Sequence, residues 1–134
     1  MKLRRAQIPA ILWTLFIASS CLLPASAFKS FSFDSLIQVD KLVHLVLYIT
    51  FVVLWYLAWP SWKTNYSFIL LVIGILYGVL IEILQSEMSL GRSYDVADIL
   101  ANTAGAILGV ILIPFISRKL PLIKKYLPFL DKLY

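Results

Sequence analysis

Cysteine and charge are both scarce in this sequence. The single cysteine, Cys21, has no partner in the chain, which excludes an internal disulfide framework and a cysteine-rich metal site. Only 14% of the 134 residues are charged, against 61% hydrophobic, and the mean hydropathy is +0.90. A chain this short cannot hide so much apolar surface in one soluble core, so its solvent is lipid. No linker-like stretch or change of composition divides it, and the reading is a single membrane domain over 1–134. A net charge of +5 would suit nucleic acid, but the basic residues sit near the chain ends and form no basic, aromatic-interleaved stripe. No nucleic-acid partner is expected.

What is present is four apolar blocks, 8–23, 42–59, 66–84 and 99–116. Crossing about 30 Å of hydrocarbon at 1.5 Å per residue takes roughly 20 residues, fewer when the flanks snorkel. The prediction is an all-α integral membrane bundle of four transmembrane helices. Trp55, Trp59 and Trp62, then Tyr66, then Arg118 and Lys119 mark interface positions. Three Lys or Arg precede the first block, Lys63 lies between the second and third, and five follow the fourth, which puts nine of the twelve on one side. The positive-inside rule then places both termini in the cytoplasm. The first block has a rival reading as a signal peptide ending near Ala25-Ser26-Ala27. The uncleaved helix is preferred because the apolar run is long for a signal core. Residues 117–134 read as a basic interfacial segment, with Leu122, Ile123, Tyr126, Leu127 and Leu130 toward lipid and Lys124, Lys125 and Lys132 toward headgroups.

The same topology carries every acidic residue except Asp131 to the extracytoplasmic half: Asp34, Asp40, Glu82, Glu87, Asp95 and Asp98. Acidic residues contribute little to orientation, so this gathering is separate information. A carboxylate within a membrane helix costs a few kcal/mol unless it meets a partner or a polar cavity. On the third block Gly74, Gly78, Glu82 and Gln85 share a face, and on the fourth Asp95, Asp98, Asn102, Gly105 and Gly109 do. Both stripes run from polar outside to small inside. Close packing of the third and fourth helices along Gly74, Gly78, Gly105 and Gly109 would set Glu82 and Gln85 opposite Asp98 and Asn102. Lys41, His44 and Tyr48 share a face of the second block, with Asp40 just before it. Singly, His44 reads as a structural histidine, Gln85, Asp98 and Asn102 as helix glue and Asp95 as a helix cap. The set Asp40, Lys41, His44, Glu82, Gln85, Arg92, Asp95, Asp98 and Asn102 reads as a ligand-binding pocket.

Asp40-Lys41-x-x-His44, then Glu82-x-x-Gln85, then Arg92-x-x-Asp95-x-x-Asp98-x-x-x-Asn102-x-x-Gly105-x-x-x-Gly109 resembles the VanZ-like family, named after a teicoplanin-resistance protein, over about Asp40 to Gly109. The resemblance implies a bacterial envelope membrane protein with these polar positions shared, and a link to glycopeptide resistance. The leading expectation is a protein that binds or handles an envelope component, such as a lipid-linked precursor, with Arg92 and Lys41 on an anionic group. A second is an intramembrane enzyme drawing its acid and base from His44, Glu82, Asp95 and Asp98. A third is an accessory subunit in which the cluster only fastens helices. Membrane lipids are expected partners. No cofactor is expected, since no compact metal motif is present, although a divalent metal among Glu82, Asp95, Asp98 and His44 would suit the donor types.

Overall fold

The computed structural model describes residues 5–23, 37–59, 66–88 and 95–126, and these form four helices. They are α1 (Gln7–Cys21), α2 (Ile37–Ala58), α3 (Tyr66–Glu87) and α4 (Val96–Tyr126). Among the described residues there is no strand. Three helices are long and apolar enough to cross a membrane: α2 over Asp40–Ala58, α3 and α4. At 15 residues α1 is shorter and covers only about 22 Å of a roughly 30 Å layer. Four full spans were expected, and three reach spanning length.

Leu12, Leu15, Phe68, Leu76, Leu100 and Phe115 are each at least 58% exposed. Side chains of this kind on the outside of a bundle are what a lipid solvent allows. The interior holds Ile17, Tyr48, Phe51, Val52, Leu70, Ile81 and Ala106.

α2 begins five residues before the apolar block does, so Asp40 and Lys41 are helical rather than flanking. At the other end α4 runs unbroken through Pro114 and Pro121 to Tyr126. A separate interfacial helix starting near Ser117 is therefore not present among the described residues, and 127–134 lie outside them. Each proline removes one backbone donor, a loss the remaining turns of a long membrane helix tolerate.

The glycine stripes pack differently from expectation. Gly74 and Gly78 do face α4, where an added Cβ would lie 3.2 Å from Ala106 Cβ and 3.0 Å from Asn102 Cβ. Gly105 and Gly109 instead press on α2. A Cβ on Gly105 would run into the Leu45 carbonyl oxygen and lie 3.0 Å from Tyr48 Cβ, and one on Gly109 would lie 2.8 Å from Val52 Cβ. α2 thus wedges its backbone against α4, while α3 meets α4 along the neighbouring face through Gly74 and Gly78. Where lipid supplies no hydrophobic drive between helices, such close backbone approach contributes van der Waals packing that helps hold them together.

Polar side chains fasten α1 to this trio. The Trp13 indole donates to the Leu47 carbonyl at 3.0 Å, Trp55 to Thr14 Oγ1 at 3.0 Å and Tyr77 Oη to the Thr14 carbonyl at 2.7 Å. Beside these contacts lies an apolar cavity of about 330 Å³ lined by Phe51, Trp55, Trp59, Tyr66, Leu70 and Tyr77, among others.

Candidate functional site

The polar residues collect where α2 and α4 begin and α3 ends. Asp95 opens α4 as its cap: its Oδ1 accepts the Ala97 backbone N–H at 2.7 Å, satisfying a donor that the first turn leaves without a helical partner. Its other oxygen faces α2. Lys41 Nζ donates to Asp95 Oδ2 at 2.9 Å and to Asp98 Oδ1 at 2.8 Å. The Lys41 ammonium, followed by the Ala97 N–H, holds the Asp95 carboxyl below the usual carboxylate range. Lys41 is thus shared between a half-exposed carboxylate and a nearly buried one.

One turn deeper, His44 and Asn102 meet. Both are buried, and His44 Nδ1 lies 3.0 Å from Asn102 Oδ1. An amide oxygen only accepts, so Nδ1 is the donor in this contact. Deeper still, Tyr48 and Asn102 both border Gly78: a Cβ there would sit 3.3 Å from Asn102 Nδ2 and 3.4 Å from Tyr48 Cε1. Tyr48 Oη and Asn102 Nδ2 are buried donors with no hydrogen-bond partner among the described residues. Glu82, fully buried one turn along α3 from Gly78, lies within electrostatic reach of Tyr48. The result is a shaft of polar side chains between α2, α3 and α4, with Lys41, Asp95 and Asp98 at its mouth and His44, Asn102, Tyr48 and Glu82 beneath.

Residue by residue, Lys41, Asp95 and Asp98 form the mouth, and Asp40 joins it through its proximity to His44 and Asp98. His44 and Asn102 lie below, with Glu82 on the α3 wall. Gln85 is directed elsewhere: its Nε2 donates to the Cys21 carbonyl, which closes the end of α1 onto α3. Lys41 is engaged by two carboxylates rather than held open for an anion. Arg92 and Asp34 lie outside the described residues. Tyr48 joins these residues although the expected pocket does not include it: it continues the spacing of Asp40 and His44 at four and four, but a tyrosine amid apolar residues reads equally well as core. The apolar cavity near Trp55 offers shape without a polar handle.

No curated protein and no solved structure gives a significant match to the chain. The model of the VanZ/LLP1 family, by contrast, matches residues 5–117. The match takes in α1 as well as the motif-bearing helices, so it reaches well beyond the Asp40–Gly109 stretch that carries the motif. By that match, the chain belongs to the VanZ/LLP1 family.

Proposed function

We propose that this VanZ-like membrane protein binds the polar head of a cell-envelope component, a phospholipid or a lipid-linked precursor, in the shaft between α2, α3 and α4. In this reading the shaft opens to the extracytoplasmic face of a bacterial cytoplasmic membrane and both termini lie in the cytoplasm, with the role in envelope biology that glycopeptide resistance represents. The observation that carries it is the pair of buried donors, Tyr48 Oη and Asn102 Nδ2, that no described residue satisfies. A cluster serving only to fasten helices gains by pairing every donor, since each unmet one costs about 1–3 kcal/mol. A polar head entering past Lys41 supplies the acceptors.

Two measurements test this. In a Cys21→Ser background, cysteine placed at Asp95 should react with a membrane-impermeant maleimide added outside intact cells; protection until the membrane is opened overturns the orientation. Native mass spectrometry of protein extracted from bacterial membranes should show an envelope lipid retained by the wild type and lost from a folded Asn102→Ala variant, with teicoplanin susceptibility changing in parallel. Equal retention by both proteins sinks the binding reading. Chemical change of the retained lipid by the wild type alone would add turnover to it.

A further inference from the structure

We propose that Asp40, His44 and Asp98 form a site for a divalent transition-metal cation, of which Mn²⁺ and Zn²⁺ are the probes. This deepens the ligand-site reading and rests on the same shaft. Asp40 and His44 stand four residues apart on α2, and Asp98 faces them from α4. One ligand atom from each lies within 4.8 Å of the other two. Around an ion at about 2.0–2.2 Å from each donor, ligand atoms lie at most roughly 4.4 Å apart, so small side-chain rotations complete the set. His44 and Asp98 are only 3% and 7% exposed. Water therefore competes weakly for the site.

A further observation points to a cation. Asn102 Oδ1 lies 3.0 Å from His44 Nδ1, the outer hydrogen bond that metal-ligating histidines ordinarily make, and Nε2 is the ring nitrogen left to face an ion. Lys41 does not block the site. It is held by Asp95 at 2.9 Å as well as by Asp98 Oδ1, so Asp98 has its second oxygen for the metal and Lys41 keeps a carboxylate throughout. Two oxygens and one imidazole favour Mn²⁺ or Zn²⁺ over Mg²⁺ or Ca²⁺. With Lys41 already engaged, a bound ion gives the shaft a positive centre that accepts a phosphate oxygen of a lipid head.

The test uses full-length protein in detergent micelles, stripped with a chelator and titrated calorimetrically with MnCl₂ or ZnCl₂. One ion per chain is expected, with affinity at least tenfold weaker in Asp40→Asn and His44→Ala. The wild type loaded with Mn²⁺ should show imidazole nitrogen coupling in its electron spin echo, a readout that needs no variant to fold. No saturable binding, equal affinity in Asp40→Asn, or bound Mn²⁺ without nitrogen coupling overturns the proposal. Lipid retention measured alongside separates the two readings. Retention unchanged with no metal bound removes the cation and leaves the headgroup; coupled Mn²⁺ with no lipid retained does the reverse.

Discussion

Replacing Gly105 with alanine should destabilise this protein by about 2 kcal/mol, although alanine is the better helix former. The new methyl group meets the Leu45 carbonyl oxygen, with the Leu45 carbonyl carbon at 3.1 Å and Tyr48 Cβ at 3.0 Å. None of these is the tip of a flexible side chain, so α2 itself has to withdraw. Overpacking of this kind costs up to about 3 kcal/mol, and the higher helix propensity of alanine returns about 1. The net change is roughly a thirtyfold fall in the folded-to-unfolded ratio. The withdrawal also strains the site, because Leu45 adjoins His44 and Gly105 lies one turn from Asn102. Gly74→Ala is the control: its nearest neighbours are Ala106 Cβ at 3.2 Å and the movable Val52 Cγ2 at 3.7 Å, so cost and gain nearly cancel. Titration of micellar protein with sodium dodecyl sulfate, followed by far-ultraviolet circular dichroism, reads both. If Gly105→Ala unfolds at the same midpoint as the wild type and Gly74→Ala, the backbone wedge between α2 and α4 is not what packs this bundle.

Tyr77→Phe removes the 2.7 Å bond to the Thr14 carbonyl and should cost about 0.5–1.5 kcal/mol. Its effect should appear first as faster proteolysis near α1, and unchanged cleavage would show that this bond does not hold α1. Asp95 has a carboxyl pKa lowered on folding, chiefly by Lys41. Its contribution to stability is therefore complete above the ordinary carboxylate range and lost as pH falls through the depressed folded value. Stability measured against pH should accordingly show an acid-side loss that Asp95→Asn diminishes. An identical acid-side slope in the variant would refute that assignment.

Much of the fold was legible because a membrane imposes one-dimensional rules. Apolar runs of spanning length at α2, α3 and α4 could be counted directly, and the i, i+3, i+4 spacing put Asp98 with Asn102 and Lys41 with His44 on shared faces. Helix ends were less visible. Hydropathy stops at the first charge, whereas the hydrogen-bond ladder carries α2 back past Lys41 and Asp40 to Ile37 and carries α4 through two prolines to Tyr126.

Pairing between helices was the part that periodicity could not decide. A glycine stripe marks a face that tolerates close approach but carries no label for its partner, and Gly105 and Gly109 fit α3 on paper as well as they fit α2. Gln85 had the same ambiguity, and the structure turns it to Cys21 at the end of α1. The sequence by itself determined a lipid-embedded helical protein with its carboxylates gathered at one end, because solvent preference and helical period are properties of single segments. Only tertiary structure decided that Lys41 bridges Asp95 and Asp98, that His44 pairs with Asn102 and that Asp40 closes on them, because those contacts depend on how far one backbone can sink into another.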